Sequence, residues 1–187
     1  SSTQAIAISV TTVNDNTPAK TSSATASIAE NTTAVLTVTA SDADQPAESL
    51  TYSLAGGADA ALFAIDASTG ALSFKLAPNF EAPADAGGNN VYNLTVQVSD
   101  GTLSSTQAIA ISVTTVNDNT PTITSSATAS VAENTTAVLT VTASDADQPA
   151  ESLTYSLAGG ADAALFAIDA STGALSFKLA PNFEAPA

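Results

Sequence analysis

The groups in this chain that can do chemistry are carboxylates and carboxamides set in short motifs. Glu30 stands in Ala29-Glu30-Asn31, Asp42 and Asp44 in Ser41-Asp42-Ala43-Asp44, Asp66 ahead of Ser68-Thr69-Gly70, Glu81 in Asn79-Phe80-Glu81 and Asp100 in Ser99-Asp100-Gly101. Asn14-Asp15-Asn16 and Asn117-Asp118-Asn119 are two copies of a further motif, and Asp145-Ala146-Asp147 repeats Asp42-Ala43-Asp44. A hard divalent cation such as Ca²⁺ takes about six to eight oxygens, several from carboxylates and the rest from carbonyls and amides. Other chemistries are closed. The chain has no histidine and no cysteine, so it has no imidazole base, no thiolate nucleophile and no soft ligands for zinc or copper. Three lysines, Lys20, Lys75 and Lys178, stand against 18 acids for a net charge of -15, with no arginine. A nucleic-acid backbone or an anionic lipid surface would find almost nothing to neutralise it. Catalysis by paired carboxylates needs two free acids in a cleft and a cation to tune them; with the acids committed to metal, the chain is expected not to be an enzyme.

The elements that must position these groups follow from periodicity. Residues 1–84 recur as 104–187 at an offset of 103, with differences only at Ala19/Thr122, Lys20/Ile123 and Ile28/Val131. A period near 100 is the size of a single domain, too long for a solenoid unit. The polar run Asn14-Asp15-Asn16-Thr17-Pro18 and its copy ending at Pro121 read as linkers. The expected organisation is residues 1–16 as the last strand and linker of a preceding repeat, 17–118 as a complete domain, and 119–187 as a truncated copy of it. Within the complete domain, Leu36-Val38-Ala40, Leu50-Tyr52-Leu54, Leu72-Phe74, Tyr92-Leu94-Val96-Val98 and Ile109-Ile111-Val113 alternate with small polar or small apolar residues. Each is a strand with one buried face. A weakly patterned strand near Ser22 to Ile28 and a short one at Phe63 to Ile65 bring the number to about seven, and the Ala-rich stretch from Ala58 to Phe63 suggests one turn of helix. Short strands separated by turns at this spacing predict an all-β, Greek-key β-sandwich of immunoglobulin type. No apolar run reaches the roughly 18 residues of a membrane helix, and no basic-then-apolar leader opens the chain, so the expectation is a soluble chain without direct membrane insertion.

Taken in order, Ala29-Glu30-Asn31, Asp42-Ala43-Asp44, Phe63-Ala64-Ile65-Asp66, Asn79-Phe80-Glu81, Ser99-Asp100-Gly101 and the Asn-Asp-Asn linkers have the order and spacing of a cadherin repeat. The whole chain resembles a cadherin-like tandem repeat of a large bacterial surface adhesin. That resemblance implies Ca²⁺ between successive domains. At the second linker it implies Glu30, Glu81, Asn117 through its carbonyl, Asp118, Asn119, Asp145 and Asp147; at the first, Asn14, Asp15, Asn16, Asp42, Asp44 and Asp100. Glu133 and Glu184 would serve a third linker. Two positions depart from the family pattern: Thr12 and Thr115 stand where it has Asp ahead of the linker motif, and Asn79 where it has Asp before the second Glu. Asp85, beside Gly87-Gly88, reads as a turn residue with substitution for a lost ligand as the alternative. Asn31 and Asn93 head Asn-X-Thr sequons.

The function these readings imply is a calcium-rigidified extracellular spacer or stalk of a cell-surface adhesin or filament, secreted to the cell surface and mediating adhesion by extending a binding tip. Its partners would be neighbouring repeats and, through edge strands or a surface polysaccharide, other copies or a glycan. The alternative is a calcium-dependent binding module for carbohydrate or homophilic adhesion. Tyr52, Tyr92, Phe63, Phe74 and Phe80 could stack on sugars, but four of the five fall in the apolar phase of strands and read as core.

Overall fold

The structure, a computed structural model, describes residues 2–184. It divides into two compact units, one up to Val116 and one from Asn117 onward.

In the first unit, nine strands carry the alternation seen in the sequence: β1 (Ala19–Lys20), β2 (Thr25–Ala29), β3 (Ala34–Thr37), β4 (Ala40–Ser41), β5 (Thr51–Gly56), β6 (Phe63–Ile65), β7 (Ala71–Phe74), β8 (Val91–Ser99) and β9 (Ser104–Thr114). They form a four-stranded sheet in the order β2-β9-β8-β5, a three-stranded sheet β3-β7-β6, and a small pairing of β1 with β4. The β2–β9 pair is parallel and the other pairs are antiparallel. Both main sheets turn their apolar phase inward, as a sandwich requires. Tyr92, Leu94 and Val96 of β8 and Ile109, Ile111 and Val113 of β9 meet Val38, Phe63, Leu72 and Phe74 in one buried cluster. Burying each of these larger side chains stabilises the fold by about 1.5–3 kcal/mol. Phe74 and Tyr92 pack edge to face with ring centroids 5.0 Å apart, and Phe63 lies 4.1 Å from Phe74. With Tyr52 and Phe80 packed against the same cluster, the aromatic residues take the core reading.

The helical turn expected in the Ala-rich stretch is a 3-10 turn at Ala60–Leu62. The edge strand β2 begins three residues later than its weak pattern suggested, because it has only β9 to pair with and the ladder starts at Thr25 opposite Ala110. The Asp66-to-Gly70 turn brings β6 back onto β7. Gly70 has φ +71°, and a Cβ there would lie 2.2 Å from the Val38 carbonyl oxygen, so no other residue fits without moving the backbone.

Residues 2–13 repeat 105–116, yet among the described residues they form no strand. Ile6, Ile8 and Val10 are 79%, 85% and 93% exposed. The same sequence is ordered as β9 because β2 and β8 flank it there; a strand's alternation produces a ladder only when a neighbour supplies the hydrogen bonds.

In the second unit, β10 (Thr122–Ile123) pairs with β12 (Ala143–Ser144), while β11 (Ala137–Thr140), β13 (Phe166–Ile168) and β14 (Ala174–Phe177) form the sheet β11-β14-β13. Its 3-10 turn, Ala163–Leu165, repeats that of the first unit. The sequence counterparts of β2 and β5 form no strands. In the first unit those strands pair with β9 and β8, for which residues 117–187 hold no counterpart.

Candidate metal centre

At one end of the first unit the linker and the β4–β5 loop are joined through acid and amide side chains. The Asn16 backbone N–H donates to Asp44 Oδ2 at 3.0 Å and its Nδ2 to Asp44 Oδ1 at 2.6 Å. Asp44 in turn donates its N–H to Asp42 Oδ1 at 2.9 Å, a short Asx turn that fixes the start of the loop. Asp100, in the tight turn between β8 and β9, accepts the Thr102 and Leu103 N–H groups through Oδ1, both at 2.7 Å. Asp15 accepts from Asn16 Nδ2 at 3.2 Å. One participant was missed in the sequence: Glu48, half-buried four residues past Asp44, accepts a hydrogen bond from Asn14 Nδ2. Its only signal was an acid in the same loop as Asp42 and Asp44.

The electrostatics of this end are lopsided. The Asn16 side chain holds the Asp44 carboxyl below the usual aspartate range against the effect of burial. The N–H groups of Leu103 and Thr102, with a smaller contribution from the Asn14 amide, do the same for Asp100. Glu48 is pushed up, first by burial and then by repulsion from Asp100, Asp44 and Asp42. The lysines give no relief: Lys20 donates to the Ser22 and Ser23 carbonyls, Lys75 to that of Ala61 and Lys178 to that of Ala164.

Three oxygens at this end, Asn14 Oδ1, Asp42 Oδ2 and Asp100 Oδ2, are buried without a hydrogen-bond partner. Buried oxygens left unpaired, two of them on carboxylates, are costly. All three come from residues the sequence marked as ligands, and two carboxylate oxygens with an amide oxygen form the mixed hard-donor set that suits Ca²⁺.

The other end of the first unit has a second group. Glu30 is 2% exposed; its Oε1 accepts the Val116 N–H and its Oε2 the Phe80 N–H, both at 2.7 Å. A Glu81 carboxylate oxygen lies within 4.8 Å of one from Glu30, and both Glu81 oxygens are buried and unpartnered. The same holds for the Thr115 hydroxyl, at the position where the family pattern has Asp. Asn79 does not stand in for a lost carboxylate with its oxygen, since Oδ1 accepts the Glu81 and Ala82 N–H groups at 2.8 and 3.1 Å. Thr12 is exposed.

The second unit repeats the linker and loop contacts of the first, as its matching sequence implies. Asn119 donates to Asp147 from its backbone N and from Nδ2, the latter at 2.8 Å. Asp147 donates to Asp145 Oδ1 at 3.1 Å, Asp118 Oδ1 accepts from Asn119 Nδ2 at 3.0 Å, and Asn117 Nδ2 donates to Glu151 Oε2 at 2.5 Å. Glu133 accepts the Phe183 N–H at 3.2 Å and Glu184 donates its N–H to Asn182 at 3.0 Å.

Two further buried acids are structural. Asp59, 3% exposed, accepts the Ala86 and Asn93 N–H groups. Asp85 accepts those of Asn90 and Asn89, which takes the turn reading and ties down the loop after Glu81.

A family model described as the cadherin domain matches residues 24–114. Residues 24–114 form a cadherin domain. The stretch contains the whole sandwich from β2 to β9, and cadherin domains bind Ca²⁺ and act outside the cell in adhesion. The chain is 33% identical over 180 residues to human protocadherin Fat 1, an alignment covering 89% of this chain and 4% of that protein. To mouse cadherin-related family member 2 it is 35% identical over 131 residues, covering 67% of the chain and 10% of the relative. The chain therefore spans a tenth or less of these relatives. Among solved structures it is similar to mouse cadherin-23 at 27% identity and TM-score 0.66, covering 94% of this chain and 58% of that one. With human protocadherin-24 it shares the fold, at 21% identity and TM-score 0.73, covering 92% of this chain and 81% of that one. The expected β-sandwich is thus the cadherin fold. The family part of the resemblance holds, but the relatives named are mammalian and none of them shows a bacterial adhesin. No helix among the described residues is long and apolar enough to cross a membrane.

Proposed function

We propose that this chain is a stretch of calcium-rigidified spacer in a long cell-surface adhesin or filament of the bacterial kind, holding a binding tip away from the surface. The observation that carries the reading is the set of buried, unpartnered oxygens on Asn14, Asp42 and Asp100 at one end of the first unit and on Glu81 at the other. Asn14, Asp42, Asp44 and Asp100 would hold a cation at the first linker, with Asp15 and Asn16 beside them. Glu30 and Glu81 would serve the second linker together with Asn117, Asp118, Asn119, Asp145 and Asp147. Bound Ca²⁺ supplies positive charge that cancels carboxylate repulsion. A short linker whose acids are neutralised in this way stiffens, and one whose acids repel splays.

Near-identity between the two copies supports a spacer, because length needs no distinctive surface on each unit. In the first unit the aromatic core offers little to a sugar, since Phe63 and Tyr92 are each 1% exposed. Calorimetry with CaCl₂ and with MgCl₂ tests the proposal. The expected result is Ca²⁺ binding at about 10⁻⁴–10⁻³ M, the range of extracellular modules, with weaker Mg²⁺ binding because a loop-built site suits the larger ion. No heat at millimolar Ca²⁺ would overturn it.

A further inference from the structure

We propose that Glu48, and Glu151 in the second unit, are positioning residues: each holds the amide nitrogen of a linker asparagine so that the amide oxygen is the atom offered to a cation. The inference rests on the calcium reading above. A carboxamide has an accepting end and a donating end that differ by a half-turn of the side chain. Only the accepting end can ligate a cation, and a reversed amide would present two N–H donors to it. Asn14 Nδ2 donates to Glu48, which leaves Oδ1 as the buried oxygen without a partner.

The pairing recurs in the second unit. There Asn117 Nδ2 donates to Glu151 Oε2 at 2.5 Å. The asparagine–glutamate pair is therefore a property of the linker and the loop that follows Asp44 or Asp147. Glu48 lies outside every motif by which the chain resembles its family. An outer carboxylate that orients an inner ligand is a general device of metal sites, and its loss costs about 10–100-fold in affinity.

The test separates orientation from charge. Glu48→Gln keeps an oxygen able to accept from Asn14 Nδ2 and removes the charge; Glu48→Ala removes both. The affinity of this site is read from the Asn14 side-chain amide resonances of the 187-residue chain titrated with CaCl₂, and thermal unfolding without Ca²⁺ controls for folding. The expected result is a loss of about 10–100-fold for Glu48→Ala, with Glu48→Gln retaining most of the affinity and both variants unfolding like the unchanged chain. Equal losses in the two variants would show that Glu48 acts by charge or as a direct ligand and would overturn the positioning role, as would Glu48→Ala binding like the unchanged chain. If the unchanged chain itself fails to bind Ca²⁺, the calcium reading falls first and this one with it.

Discussion

Asp59 and Asp66 show how differently one residue type acts in this chain. Asp59 is buried and closes two backbone donors, the Ala86 and Asn93 N–H groups, both at 2.7 Å. Asp59→Ala leaves both donors unpaired and is expected to destabilise the first unit by about 1–3 kcal/mol, read as a lower urea midpoint; Asp15→Ala, on the exposed linker, should leave that midpoint unchanged. Asp66 is exposed and caps its turn by accepting from the backbone N–H groups and hydroxyls of Ser68 and Thr69. These bonds, led by the Thr69 N–H, pull its pKa from 3.8 down to about 2. A carboxyl depressed in the folded state adds stability that is complete above its unfolded pKa and disappears as the pH falls through the folded one. The stability gap between the unchanged chain and Asp66→Asn should therefore be full at about pH 5 and close as the pH approaches 2. A gap constant over that range would show that the turn does not depend on the charge.

At the scale of elements, the repeat provides its own control. Ile8 and Ile111 sit in identical sequence surroundings, yet Ile111 is 0% exposed in β9 and Ile8 is 85% exposed. Ile111→Ala is expected to cost about 2–5 kcal/mol, the range for emptying a core position. Ile8→Ala should stay within about 0.5 kcal/mol, as an exposed substitution does. Chemical denaturation of the two variants checks this, and equal losses would show that residues 2–13 are paired in solution. The loop from Asp42 to Glu48 belongs to this scale as well, because one Asx turn ties the Asp44 backbone to the Asp42 carboxylate.

For the whole molecule, the proposed function predicts that extension would depend on counter-charge, because the net charge of -15 would otherwise repel itself. Asp118→Ala removes a carboxylate of the second linker and leaves the core of residues 24–114 untouched. The first unit should keep its fold in millimolar Ca²⁺, while the Ca²⁺-dependent extension measured by small-angle scattering should be lost. Thr115→Asp should act in the opposite sense, restoring the acid of the family pattern ahead of the linker and raising Ca²⁺ affinity in calorimetry. Extension unchanged in Asp118→Ala would mean that direct contacts, and no bridged linker, hold the rod.

The sandwich was legible from the sequence because period-two alternation sorts Tyr92, Leu94, Val96, Ile109 and Ile111 onto one face whatever their surroundings. The acidic motifs were legible because they sit in the loops at strand ends. Alternation could not say whether a strand would find a partner: Ile8 and Ile111 share a sequence and differ completely in burial. The direction of a side chain was equally beyond it. Asp42 and Asp85 are both loop aspartates, but Asp85 faces backbone donors while one Asp42 oxygen is buried with none. The role of Glu48 depends on a contact with Asn14 across 34 positions, and only the folded chain brings those positions together. Local pattern fixes which face a residue prefers; its partners are fixed by the neighbours that tertiary structure supplies.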